Sequence, residues 1–252
     1  MALVHSTPDI IRNGLTYLFD IGNHKCYVGT GTTVNAITNS VAGISTVSGA
    51  VYNTSDPKSF VFDGTDDYIT IDKSYNELGL VTGGDYTIIA WVYIDSNFGQ
   101  ERRNIVTNFS GATQHFSWVL DNTGTPGSGS YNYAMGLSCN STSGSDGGPG
   151  GWSDSDISIP LDQWSMISIR LGGNSVKFTI DDNVSYGGAT STKFGEGTMN
   201  NSGNDMYIGK NRTGAFAADY FKGKISSVMF YNRQLSNNEL LENYNSLKGR
   251  YA

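Results

Sequence analysis

The chain has little charge, few cysteines and very little glutamate. Only 15% of its 252 residues are charged, and glutamate occurs at five positions. Because glutamate is a good helix former, its scarcity argues against a helical fold. The abundant residues, 32 glycines and 15 tyrosines among many Ser, Thr and Asn, are typical of short strands joined by tight turns.

The chain also lacks an excess of positive charge and a long apolar run. Its net charge is −7 and no basic stripe offsets this, so we expect no nucleic-acid partner. No segment is apolar for long enough to cross a membrane, and residues 1–14 do not read as a signal peptide. We therefore expect a protein that is assembled inside a cell and not inserted into a membrane.

The two cysteines, Cys26 and Cys139, lie far apart in the sequence. They can pair only if the fold brings their Cα atoms within about 7 Å of each other. We expect two free thiols in a reducing compartment, and the sequence leaves a disulfide as the alternative.

Period-two alternation of apolar residues predicts most of the chain to be strand. The clearest strand is Tyr86–Ile94, which is apolar on both faces and is therefore expected at the centre of a sheet. Residues 164–171 and 176–180 are expected to form a hairpin. Further strands are predicted at 15–20, 59–62, 68–71, 103–107, 115–120, 131–137, 206–209 and 223–231, with a turn at Asp63-Gly64 and loops at 22–43 and 138–156.

One helix is predicted near the end of the chain. Ser236 and Glu239 form a capping box, and an apolar face follows at Leu240, Leu241, Tyr244 and Leu247. The sequence thus predicts an all-β, two-sheet antiparallel sandwich with one short C-terminal helix. We expect an N-terminal arm at residues 1–13 and one domain at residues 14–252.

Four segments in this order resemble one family: Phe62–Ile69, Tyr86–Ile94, Trp164–Asp182 and Tyr207–Ser236. They are similar to the laminin-G and pentraxin-like branch of the concanavalin A-like lectins and glucanases, which implies a jelly-roll sandwich.

Residues 14–27 and 242–251 resemble the versions of this domain found in tailed-phage virion proteins. That resemblance implies a location in the virion and, as partners, other virion proteins or copies of the same chain. The N-terminal arm is a candidate to grip such a neighbour, with a frayed terminus as the alternative.

No catalytic constellation is visible. Glucanases of this family carry a Glu-x-Asp-x-x-Glu strand, and glycoside hydrolysis requires two carboxylates about 5–10 Å apart. None of the glutamates lies in such a pattern, and the neighbours Asp66 and Asp67 would face opposite ways on a strand. We therefore expect a protein that is not an enzyme.

Asp63, Asp66 and Asp67 are candidate calcium ligands. Pentraxin-like relatives place an Asp-Asn ligand pair just before the strand that begins here at Tyr68, and calcium prefers oxygen ligands of this kind. The acidic cluster of those relatives is replaced here by residues 210–213, which include two cations. The resemblance thus implies at most a single ion, and the alternative is solvated turn residues.

A carbohydrate surface is the third candidate, because sugars stack on aromatic rings while carboxylates and amides bind their hydroxyls. Trp152, Asp154 and Asp156 lie in a glycine-rich segment, and Tyr131 and Tyr133 are expected at the same rim. The alternative is that Trp152 fixes the loop to the sandwich. By contrast, Trp91, Trp118 and Trp164 lie in strands and are expected in the core.

Three functions remain open at this point. The leading one is a virion surface protein of a tail fibre, baseplate or capsid that binds host glycans. The second is a structural virion component that has no ligand, and the third is a polysaccharide-degrading enzyme. Fold alone does not choose among them, because function depends on a site.

Overall fold

The structure is a computed structural model that describes residues 9–37, 43–80, 84–97, 99, 102–109, 115–122, 134–140, 152–172, 175–183, 205–210 and 220–252. Within this part of the chain, no helix is long and apolar enough to span a membrane.

Strands dominate the described residues. In chain order they are β1 (Leu15–Asp20), β2 (Thr33–Asn35), β3 (Ile44–Ser48), β4 (Val51–Asn53), β5 (Ser59–Asp63), β6 (Tyr68–Ser74), β7 (Tyr86–Tyr93), β8 (Arg102–Phe109), β9 (His115–Asp121), β10 (Ala134–Asn140), β11 (Trp152–Ser158), β12 (Trp164–Gly172), β13 (Ser175–Ile180), β14 (Asp205–Ile208) and β15 (Lys222–Tyr231). The helix α1 (Asn237–Leu247) and a 3₁₀ helix (Lys248–Arg250) follow.

The strands form two antiparallel sheets. Sheet A has the order β13-β12-β7-β15-β5-β4, and β1 also pairs with β15. Sheet B has the order β11-β10-β9-β8-β14-β6-β3-β2. The predicted two-sheet antiparallel sandwich with a C-terminal helix is therefore confirmed.

The main core lies between the sheets and follows from the period-two alternation. On β7, Tyr86, Ile88 and Val92 face this core and are at most 1% exposed. The alternate residues Ile89 and Trp91 face outward from sheet A, yet they are also buried. β7 lies between β12 and β15, so its prediction as a central strand is confirmed.

A second, smaller core covers part of the outer face of sheet A. There α1 and Tyr251, which follows the 3₁₀ helix, pack on the sheet, and Trp91 stacks on Tyr251 with ring centroids 4.0 Å apart. Arg250 donates to the buried Asp20 carboxylate at 2.6 Å, which joins the end of the chain to β1.

Residues 9–13 pack against the same layer. The Ile11 amide donates to Asn243 Oδ1 at 2.8 Å, and Ile10 is buried. The described end of the predicted arm therefore belongs to the packed domain, and residues 1–8 lie outside the described residues.

The predicted capping box of α1 is confirmed. The Glu239 amide donates to Ser236 Oγ, and the Ser236 amide donates to the Glu239 carboxylate at 2.8 Å. The buried face of α1 differs from the predicted apolar face at two positions, because Asn243 is fully buried while Leu241 is half-exposed. Burial of Asn243 is tolerated because its amide binds both Ile11 and Tyr231.

Two predicted loops were partly wrong. Residues 22–43 include the strand β2, and the segment 138–156 includes the end of β10 and most of β11. Both segments are rich in polar residues and glycine, so they lack the apolar alternation that marks a strand in sequence. Ladder hydrogen bonds come from the backbone, however, and need no apolar side chain.

Two of the three tryptophans expected in the core, Trp91 and Trp118, are buried, whereas Trp164 is only partly buried.

Cys26 is a free, buried thiol whose pKa is raised to about 12 by burial. The side chain of Cys139 lies outside the described residues.

Replacing Glu239 with Gln tests the cap of α1. The hydrogen bond from Arg233 is the largest factor that lowers the pKa of Glu239 to about 2. Because folding lowers the pKa of Glu239, its charged carboxylate stabilises the fold at pH values above the ordinary pKa of a glutamate. This contribution is lost as the pH falls towards 2. We expect Glu239→Gln to lose about 1 kcal/mol in urea unfolding at pH 7.

The loss should disappear near pH 2. Glu242→Gln is the matched control, because Glu242 is exposed on the same helix. An equal loss in both variants, or a loss independent of pH, would contradict this account of the cap.

Candidate functional site

The three candidate calcium ligands lie where the chain crosses from one sheet to the other. Asp63 ends β5 in sheet A, and Asp67 directly precedes β6 in sheet B. The chain therefore turns at Asp63-Gly64 as predicted, but the turn leads from one sheet to the other. The strands on its two sides, β5 and β6, do not pair with each other. Each of Asp63, Asp66 and Asp67 offers a carboxylate oxygen, and these oxygens lie within 4.8 Å of one another.

The strand geometry that would separate the side chains of Asp66 and Asp67 does not apply to them. Both residues lie in the crossing before β6 begins. Asp63 shapes this crossing, because its amide donates to Asp67 Oδ2 at 2.8 Å and its Oδ1 accepts from the Thr65 amide at 2.7 Å. These bonds bring the carboxylates together.

Arg103 holds the crossing from the other side. This buried arginine of β8 donates through Nη1 to the carbonyls of Gly64 and Tyr220, both at 2.9 Å. Gly64 has a φ of +85°, which a residue without a side chain adopts without strain. The position of the cluster is thus fixed by both sheets.

The electrostatics of the cluster favour a cation. Asp67 is buried, whereas Asp63 and Asp66 are exposed. Burial is the main cause that raises the pKa of Asp67, and the charges of Asp63 and Asp66 raise it further. None of the three carboxylates forms an ion pair with another described residue.

The spacing suits one calcium ion. Calcium binds oxygen ligands at about 2.3–2.6 Å, so two ligands of one ion are at most about 5 Å apart. The three carboxylates meet this limit, and backbone carbonyls and water would have to supply the other ligands. Calcium binding itself remains a prediction.

Two tyrosines face outward from sheet B beside this cluster. Tyr68 and Tyr207 are half-exposed, and their ring centroids are 6.1 Å apart. Lys210 Nζ lies 3.6 Å from the centroid of Tyr207 and 4.5 Å from that of Tyr68. Lys210 therefore lies over aromatic rings, and no ion pair joins it to a described carboxylate. Lys210 is also one of the two cations by which this sequence departs from its calcium-binding relatives.

We refer to Asp63, Asp66, Asp67, Tyr68 and Tyr207 as the Asp–Tyr surface. Sequence reasoning did not single out either tyrosine. The alternation of apolar and polar residues along these two strands could have identified them. Their neighbours Ile69, Met206 and Ile208 are apolar and fully buried, so each tyrosine must face outward.

The carbohydrate residues predicted from sequence are only partly located. Trp152 and Asp154 lie in β11, where their backbones pair with Ser138 and Gly136 of β10. Asp156 lies in the same strand. Their side chains, together with Tyr131 and Tyr133, are outside the described residues. Trp152 is therefore in a strand and not in a loop as expected, and its role in sugar binding stays a prediction.

A family model described as the concanavalin A-like lectin/glucanases superfamily, of laminin-G type, matches residues 63–241. This match covers well over half of the chain, so the protein belongs to that superfamily. No curated protein is significantly similar to it in sequence.

Solved structures agree on the fold. Domain 4 of AbnA, a GH43 extracellular arabinanase from Geobacillus stearothermophilus, in complex with arabinotriose, has a TM-score of 0.60 at 17% identity, over 91% of this chain and 98% of that chain. The Trypanosoma rangeli sialidase in complex with sialic acid has a TM-score of 0.60 at 14% identity, over 94% of this chain.

The binding domain of botulinum neurotoxin serotype D/C VPI 5993 has a TM-score of 0.64 at 10% identity, over 93% of this chain. The match covers 33% of the sialidase chain and 52% of the toxin domain. At these identities the likeness shows the fold alone.

Gly49 tests how tightly Asp67 is held. Gly49 has a φ of +79°, and a Cβ there would lie 2.1 Å from Asp67 Oδ1. Gly31 has nearly the same φ, +82°, but a Cβ there would meet no heavy atom within 4 Å. We expect each Gly→Ala variant to lose about 1 kcal/mol from backbone strain, and Gly49→Ala to lose at least about 1 kcal/mol more.

Urea unfolding of both variants measures the difference directly. Because the backbone strain is common to the two, the excess in Gly49→Ala isolates the contact with Asp67. Equal losses would mean that the Asp67 carboxylate is free to move away.

Proposed function

We propose that this protein is a non-enzymatic glycan-binding module on the surface of a phage virion, in a tail fibre, baseplate or capsid. Its ligand is a polysaccharide of the host surface, and calcium takes part in binding. Its other partners are virion proteins or copies of itself. The lectin-like sandwich supports the class of function, and the Asp–Tyr surface supports a site on it.

The single observation that carries the binding proposal is the position of the three carboxylates beside two outward-facing tyrosines. A calcium ion held by Asp63, Asp66 and Asp67 would lie next to the exposed parts of Tyr68 and Tyr207. A sugar needs both features, because its hydroxyls ligate a cation or accept hydrogen bonds while its apolar face packs on a ring.

The virion setting is supported by residues 14–27 and 242–251, which resemble tailed-phage virion proteins. Mass spectrometry of phage particles from the source of the gene tests this part of the proposal.

The absence of catalysis is also a proposal. It rests on the sequence, in which none of the five glutamates lies in the Glu-x-Asp-x-x-Glu pattern of the glucanases of this family. Hydrolysis of a polysaccharide by the purified protein would contradict the proposal.

Calcium and glycan binding can be tested together. We expect calcium to bind with a dissociation constant on the order of 10⁻⁴–10⁻³ M in titration calorimetry. A panel of bacterial surface polysaccharides should then yield a ligand that binds with calcium and is released by a chelator. Asp66→Asn should weaken calcium binding about tenfold, because it removes one charged ligand.

Asp66 is the best position for this test because its side chain is exposed and makes no hydrogen bond within the described chain, so the fold should not depend on it. Asp72→Asn is the matched control, since Asp72 is an exposed aspartate of β6 outside the cluster. Calcium binding that is equal in both variants would place the ion elsewhere. No glycan binding with or without calcium would leave a structural virion component.

A further inference from the structure

A single row of side chains crosses the outer face of sheet A on five adjacent strands. Strand register places Val51 opposite Val61, Val61 opposite Lys224, Lys224 opposite Tyr93, and Tyr93 opposite Trp164. These five residues, the outer row, all face away from the main core, because their strand neighbours Phe60, Phe62, Val92 and Ile225 face into it.

The outer row begins at the edge of the C-terminal layer, where the ring centroid of Trp164 lies 5.2 Å from that of Tyr251, and continues across the sheet away from that layer. The next row towards α1 contains Trp91 and Met166, which are buried beneath the C-terminal layer. In the outer row Val51 is 65% exposed, and the other four side chains are half-exposed. Val51 is one of the few large hydrophobic residues of the described chain that are exposed to this degree.

The row combines two rings with a cation. Trp164 and Tyr93 meet edge-on with centroids 5.8 Å apart, and Lys224 Nζ lies 4.4 Å from the centroid of Tyr93. No described carboxylate forms an ion pair with Lys224. Burial raises the pKa of the Tyr93 hydroxyl, and the charges of Asp162 and Asp95 raise it further. Lys224 is therefore a cation in the row with which a negative group of a ligand can pair.

The shape of the row limits what can bind there. Five strands spaced about 4.8 Å apart give a length of about 19 Å, but the row is one side chain wide. A stable protein dimer buries about 800 Å² on each partner, which such a narrow row does not provide. An extended peptide gains affinity from the free backbone of a sheet edge, and here the row crosses strands whose backbones are already paired.

We propose that the outer row binds an extended anionic polysaccharide. Its sugar rings pack on Trp164 and Tyr93, and a carboxylate, sulfate or phosphate group of the chain pairs with Lys224. The aliphatic contacts with Val61 and Val51 extend the site across the sheet. This site needs no metal ion.

The outer row faces outward from sheet A and the tyrosines of the Asp–Tyr surface face outward from sheet B, and Asp63 lies at the end of β5, two residues beyond Val61 of the row. The inference therefore goes beyond the proposed function, and the two can fail separately.

The test uses polygalacturonate and its neutral methyl ester, both in the presence of a chelator, so that no calcium-dependent site contributes. Binding is followed by tryptophan fluorescence and titration calorimetry. We expect saturable binding of polygalacturonate and weaker binding of the ester. Trp164→Ala should weaken both at least about tenfold, because it removes the larger ring.

Lys224→Gln should weaken polygalacturonate binding about threefold and leave ester binding unchanged, because an exposed ion pair contributes little more. Lys210→Gln is the matched control, since Lys210 also lies over tyrosine rings but on the face of sheet B. Circular dichroism verifies folding, and Lys224→Gln keeps the test valid if Trp164→Ala does not fold.

Three outcomes would overturn the proposal. In the first, the wild-type protein shows no saturable binding of either polymer. In the second, Lys224→Gln and Lys210→Gln change the affinity for polygalacturonate equally. In the third, Trp164→Ala leaves the affinity for both polymers unchanged. A failure here with calcium-dependent binding intact, sensitive to Asp66→Asn, would leave the proposed function standing.

Discussion

The fold depends most on the pairing of β15 with three other strands. One edge of β15 pairs with β7 along most of its length, and the other edge pairs first with β5 and then with β1. This strand therefore joins the start, the middle and the end of the chain in one sheet. It also positions Ser226, whose hydroxyl binds Tyr251 at 2.9 Å, so the C-terminal layer is fixed to the same strand.

The Asp–Tyr surface is a consequence of having two sheets. A chain that leaves β5 in sheet A and enters β6 in sheet B must cross the rim, and turn residues such as Asp and Gly are suited to that crossing. The crossing brings the carboxylates of Asp63, Asp66 and Asp67 close together, and the pleat of sheet B makes Tyr68 face outward beside them. The same geometry that closes the sandwich thus creates a negatively charged corner next to an aromatic face.

Among the described residues, the helix α1 covers part of the outer face of sheet A. On sheet A, α1 buries Ile89 and Trp91 and ends its cover at the level of Tyr93 and Trp164. On sheet B, Tyr68 and Tyr207 are half-exposed. Half-exposed aromatic rings thus lie on both faces, where the proposed glycan binding would use them.

The sequence by itself determined the fold class, the central place of β7, the hairpin of β12 and β13, and the capping box at Ser236 and Glu239. These features depend on local periodicity and on contacts a few residues apart, which the order of residues contains. Tertiary structure alone decided that Asp66 and Asp67 meet Asp63, that Tyr207 lies beside Tyr68, and that β2 and β11 are strands. Those facts depend on strand register and on backbone pairing between distant segments, and neither leaves a mark in the local pattern of side chains.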